Sequence, residues 1–141
     1  TETRSTRIRG VESLVNDYIE ELLRSYNLPP HRCVLAGFSQ GSMVALHVAP
    51  RREGRLAGVI GFSGSLITST TLAAETRSQP PFMLIHGSED TVVDPTETAE
   101  AGRALDAAGF DVEAHLLPGL GHGIDQRGLE IAAAFMEKVL S

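Results

Sequence analysis

Cys33-Val34-Leu35-Ala36-Gly37-Phe38-Ser39-Gln40-Gly41-Ser42 is the stretch on which the reading of this chain turns. Its first six residues are continuously apolar, the pattern of a strand covered on both faces. Directly behind it, Ser39 to Ala49 reads as a helix that ends at Pro50. Where a buried strand meets a helix, G-x-S-x-G forms a tight elbow that exposes the serine oxygen. Gly37 and Gly41 are both read as positions where neighbouring backbone leaves no room for a Cβ. The helix N-terminus behind Ser39 favours negative charge developing beside it.

Outward from this stretch, helical and strand patterns alternate. Ile8, Val11, Leu14, Val15, Tyr18, Ile19, Leu22 and Leu23 recur at steps of three and four, predicting a helix over Thr6 to Tyr26. Asn27-Leu28-Pro29-Pro30 stops it. Leu56 to Phe62 reads as a second buried strand, and the Ser/Thr-rich stretch Ser63 to Ser78 has no clear pattern. Phe82 to His86 is a third strand, Pro95 to Ala108 a helix closed by Gly109, and Val112 to Leu117 a fourth strand. Leu129 to Leu140 closes the chain as an amphipathic helix. Strands alternating with helices imply right-handed crossovers and a mostly parallel sheet between helical layers, an α/β fold of three layers.

Composition narrows the function. With 141 residues, 42% hydrophobic and 21% charged, the chain is expected to form one domain around one core. A net charge of −6 argues against nucleic acid as a partner. Two short basic clusters, Arg4, Arg7 and Arg9 and then Arg51, Arg52 and Arg55, are read as solvated surface. Cys33 is the only cysteine, so no intrachain disulfide or cysteine metal cluster can form. No apolar run approaches the roughly 18 residues of a membrane span. The polar first ten residues do not resemble a signal peptide, which suits a cytoplasmic location.

A serine hydroxyl needs a base to become a nucleophile, and the base needs an orienting group. Both follow in the order Ser, acid, His. His86-Gly87-Ser88-Glu89-Asp90-Thr91-Val92-Val93 follows the third strand, and Asp90 is its expected acid, with Glu89 and Asp94 as neighbouring candidates. Gly119-Leu120-Gly121-His122-Gly123 follows the fourth strand and supplies His122. In open parallel sheets, sites form at the carboxyl ends of the strands, where all three residues fall. Gly61-Phe62-Ser63-Gly64-Ser65 nearly repeats the elbow pattern, but Ser63 is read as a turn lining the same cleft. Ser63 and Leu66 are candidate substrate-binding residues, with Ile67 and Leu72 as a possible acyl-side wall. His86 is read as a hydrogen-bonding residue at the strand end, and His31, His47 and His115 as surface or packing residues. No histidine pair has metal-ligand spacing, so neither a metal nor a cofactor is expected.

Gly37-Phe38-Ser39-Gln40-Gly41-Ser42, His86 to Val93 and Gly121-His122 together resemble the carboxylesterase/phospholipase branch of the α/β-hydrolases, which includes the acyl-protein thioesterases. The resemblance covers nearly all of the chain. It implies a Ser39, Asp90 and His122 triad, with the backbone N–H of Gln40 as first oxyanion donor. It implies a carboxylic ester or thioester substrate and often a homodimer. Asp94 stands before Pro95 where the family usually has proline directly after its two valines. The family also begins with further strands and a His-Gly loop that supplies the second oxyanion donor. Residues 1–141 are therefore expected to be the C-terminal part, roughly two-thirds, of such a domain. The rest would be a preceding segment or a complementing chain, and the strand Cys33 to Phe38 would be an open edge. Competing readings are a dienelactone-hydrolase- or peptidase-like enzyme on the same scaffold, or a catalytically incomplete binding module. The dienelactone group commonly places cysteine where this chain has Ser39.

Overall fold

The computed structural model describes residues 3–141, so Thr1 and Glu2 lie outside the described residues. Four strands, β1 (Val34–Phe38), β2 (Gly58–Phe62), β3 (Phe82–Gly87) and β4 (Val112–Leu117), form one sheet in chain order. All three pairings are parallel, with Phe38 opposite Phe62, Phe62 opposite Ile85 and Gly87 opposite Leu117. The register leaves the carboxyl ends of the strands side by side. Among the described residues five α-helices complete the α/β fold: α1 (Arg4–Tyr26), α2 (Gln40–Arg51), the short α3 (Leu72–Glu75), α4 (Thr96–Ala107) and α5 (Gln126–Leu140).

Because strand side chains alternate between faces, β2 and β3 divide the core in two. Val59, Phe82 and Leu84 pack with Ile19 and Leu23 of α1, Leu46 and Val48 of α2 and Leu105 of α4. Ile60, Phe62, Met83 and Ile85 face the other way, against Ala132 and Phe135 of α5. The result is the expected three-layer sandwich. β2 and β3 are buried at every position, as their unbroken apolar runs predict.

The same prediction fails for β1. Ala36 and Phe38 are exposed and the remaining positions are half-buried, because β1 has a partner on one side only. Pro50 also does not end α2, which runs on to Arg51. The Pro50 carbonyl instead accepts the backbone N–H groups of Arg77 (2.8 Å) and Ser78 (3.2 Å), anchoring the segment that enters β3.

A second correction concerns charge. Arg51 and Arg52 are buried rather than solvated. Arg51 donates to the carbonyls of His47 (3.0 Å) and Thr68 (3.0 Å) and to Glu75 (2.8 Å). Arg52 binds Glu20 at 2.5 Å and Asn16 at 3.1 Å, tying α2 to α1. A buried guanidinium is tolerable only when its donors are matched, and these are. The Arg51 contacts give the patternless stretch after Ser63 its shape, a 3-10 turn at Ser69–Thr71 running into α3.

Hydrogen bonds from Arg9, Arg51 and Thr71 pull the Glu75 carboxyl down from an ordinary 4.5 to about 2. A carboxyl lowered in the folded state adds stability above its unfolded value and loses it as pH falls through the folded one. Glu75→Gln is therefore expected to lower the urea midpoint at neutral pH and to converge on wild type between about pH 4.5 and 2. Urea denaturation at several pH values across that window measures it.

Candidate active site

The site is assembled from three strand ends. At the end of β1 the chain reverses into α2 through Ser39, whose φ of 56° is positive. A non-glycine residue held there costs on the order of 1–3 kcal/mol and persists only when its surroundings fix it. Ser39 N–H donates to the Phe62 carbonyl at 2.8 Å, and the Ser39 carbonyl accepts from Met43 N–H at 3.1 Å. A Cβ on Gly37 would fall far inside contact distance of the Gly41 backbone. Gly41 itself would meet nothing within 4 Å, which corrects the expectation that both glycines are close-approach positions. Gly37 carries the constraint.

Beyond β3, the loop folds Asp90 back beneath the strand ends, and its side chain is fully buried. Oδ1 accepts the backbone N–H groups of Val92 (2.8 Å) and Val93 (2.9 Å), while Oδ2 accepts His122 Nδ1–H at 2.7 Å. Burial pushes this carboxyl up, but the bonds from His122, Val93 and Val92 outweigh it and hold the group below the usual carboxylate range. Asp90 is therefore ionised at neutral pH, which places the proton of a neutral His122 on Nδ1 and leaves Nε2 to accept.

His122 reaches this position because its loop is clipped to the Asp90 loop. Glu89 N–H donates to the Leu120 carbonyl at 2.8 Å, and Gly119 N–H to Ser88 Oγ at 3.0 Å. A side chain on Gly87 would run into the Leu120 and Gly121 carbonyls. The His122 ring rests on Phe38, with centroids 4.9 Å apart. Its Nε2 lies 3.0 Å from Ser39 Oγ, which donates to it. Hydroxyl, imidazole and carboxylate thus form one chain of two hydrogen bonds, in the geometry needed to remove the serine proton.

Gln40, the first residue of α2, has a backbone N–H with no partner inside the helix. Ser63 and Leu66 do not reach the site surface, contrary to expectation. Ser63 is buried with φ 55°, its N–H donates to Ile85 at 2.8 Å, and its Oγ lacks a partner among the described residues. Gly64 packs against Ser42 behind the elbow, so this near-repeat supports Ser39 from below rather than lining a cleft. Leu66 belongs to the core shared with Leu46 and Leu72. Asp94 binds Thr96 and caps the start of α4, and His47 is buried against Thr68 at 2.8 Å. His86 is a strand-end hydrogen-bonding residue as expected, 2.6 Å from Thr98 Oγ1 and 2.9 Å from the Val93 carbonyl. Its 3.2 Å approach to Asp90 Oδ2 and the clip through Gly87 were missed, although the His86-Gly87 pair beside the acid was their visible signal. Among the described residues no group of His, Cys, Asp and Glu could hold a metal ion.

A parallel sheet between helical layers, with an elbow serine and an acid and histidine on later strand ends, defines the α/β-hydrolase class. The chain belongs to the phospholipase/carboxylesterase family, whose sequence profile matches residues 2–140. Acyl-protein thioesterase 1 of Gibberella zeae is 34% identical over 116 residues, 79% of this chain and 49% of that protein. Esterase YpfH of Escherichia coli is 30% identical over 133 residues, 92% of this chain and 56% of that protein. The chain thus spans about half the length of the curated relatives it matches. Among solved structures, esterase PE8 superimposes with a TM-score of 0.91 at 35% identity, covering 94% of this chain and 62% of that one. SOBER1 of Arabidopsis thaliana, at 24% identity and a TM-score of 0.80, covers 95% of this chain and 63% of its own and shares the fold.

Gly37→Ala is expected to destabilise by about 4 kcal/mol or more, because backbone rather than a movable side chain blocks the added methyl. Gly41→Ala is expected to stay within about 1 kcal/mol of wild type. Thermal unfolding of the two variants side by side measures the contrast.

Proposed function

We propose that the chain carries the catalytic residues of a serine hydrolase acting on carboxylic esters or thioesters. The supporting observation is the continuous path from Ser39 Oγ through His122 (3.0 Å) to Asp90 (2.7 Å). Ser39 Oγ attacks the acyl carbonyl as its proton passes to His122 Nε2. Asp90 holds the ring and stabilises the imidazolium that forms. The Gln40 N–H donates to the oxyanion, aided by the N-terminus of α2. When the tetrahedral intermediate collapses, His122 returns the proton to the leaving alcohol or thiol. Water then repeats the sequence on the acyl-enzyme and restores Ser39. No step requires a cofactor.

One oxyanion donor is half of the usual pair, and losing a donor costs roughly 100- to 1,000-fold in rate. In this proposal the second donor belongs to polypeptide outside these 141 residues, packed along the open side of β1. The span of about half the relatives' length and the exposure of Ala36 and Phe38 support that placement. The substrate class rests on the family and on relatives named as esterase and thioesterase, and it favours this reading over a peptidase-like one.

In the full-length protein, a fluorophosphonate probe is expected to label wild type and not Ser39→Ala. Asp90→Asn is expected to lower kcat by about 10⁴-fold, through loss of the correct His122 tautomer, on a p-nitrophenyl ester or a thioester. Folded wild-type protein that resists the probe and turns over neither substrate would overturn the reading.

A further inference from the structure

Asp90 Oδ2 has two imidazoles near it, and only one belongs to the proposed proton path. His86, fully buried in β3, places Nε2 2.9 Å from the Val93 carbonyl and 3.2 Å from Asp90 Oδ2. A carbonyl can only accept, so Nε2 carries the proton. With Nε2 protonated in a neutral ring, Nδ1 must accept, and Thr98 Oγ1 of α4 stands 2.6 Å away to donate. Thr98 therefore fixes both the tautomer and the ring plane of His86 from the far side.

We propose that His86 is a positioning residue that, locked by Thr98, holds the acid loop by the Val93 carbonyl and so keeps the Asp90 carboxylate turned with Oδ2 toward His122. The inference rests on the Ser39–His122–Asp90 reading and adds two residues to it. An aspartate's terminal torsion is broad and roughly two-fold, so the plane of its carboxylate is chosen by donors held in fixed positions. Val92 and Val93 N–H groups restrain Oδ1 (2.8 and 2.9 Å). His86 Nε2–H donates to the Val93 carbonyl at 2.9 Å, and Val93 N–H in turn donates to Oδ1 at 2.9 Å, so the imidazole acts on the carboxylate through Val93. One residue of the acid loop thus contacts both Asp90 and the imidazole that orients it.

The two amide isosteres test this in the full-length protein. Glutamine at 86 can put an N–H where Nε2 lies, whereas asparagine reaches only the Nδ1 position facing Thr98. His86→Asn is expected to lower kcat by about 100-fold with KM little changed, the cost of a misplaced catalytic group. His86→Gln is expected to recover most of that loss. Without substrate, the strongly deshielded NMR proton shared by His122 and Asp90 should persist in wild type and His86→Gln and vanish in His86→Asn. Equal kcat in the two variants, or a deshielded proton retained in a folded His86→Asn, would overturn the proposal. Because the resonance needs no turnover, the two readings fail separately. Inactive wild type whose resonance is lost only in His86→Asn would sink the hydrolase reading and support this one.

Discussion

The site depends on a backbone contact that leaves no room for a methyl group. For β1 to pass straight into α2, the Cα of Gly37 must lie against the backbone of Gly41 and Ser42. That closeness forces Ser39 into positive φ, and the Phe62 and Met43 hydrogen bonds hold it there. The strain has a use. It lifts the Ser39 hydroxyl clear of the strand end and turns it toward the loops that follow β3 and β4.

The remainder of the fold serves to bring those loops to the same place. Parallel pairing sets the strand ends side by side, and two fully buried strands, β2 and β3, carry the load between helical layers. Gly87 repeats the logic of Gly37 one loop further on, since its missing side chain lets the acid loop and the histidine loop touch. Polar order inside the structure follows the same economy. Arg51, Arg52 and Asp90 are all buried, and each has its hydrogen-bonding groups matched by fixed partners.

Much of this was legible in the residues. Unbroken apolar runs located β1, β2 and β3, the mixed stretch Val112 to Leu117 was read as β4, and the Ser, Asp, His order after these strands located the three side chains that meet. What escaped depended on neighbours that a single run of sequence does not name. The apolar run of β1 looks like that of β2, and it was the family resemblance rather than the run that pointed to an open edge there. Arg51 and Arg52 looked solvated because charge clusters usually are, and their partners Glu20, Thr68 and Glu75 lie on other elements. Pro50 read as a stop because the use of its carbonyl by Arg77 and Ser78 is invisible along the chain. Ser63 looked like a cleft residue because its strand-end motif copies the elbow, and burial beneath that elbow is a tertiary fact.

The proposed chemistry turns on covalent acylation of Ser39. Acid-quenching the full-length protein within milliseconds of mixing with a thioester, followed by peptide mass analysis, tests it most directly. A transient mass increase equal to the acyl group, confined to the peptide that contains Ser39, is expected. Steady hydrolysis with that peptide unmodified at every quench time, or with the acyl group on another residue, would contradict it.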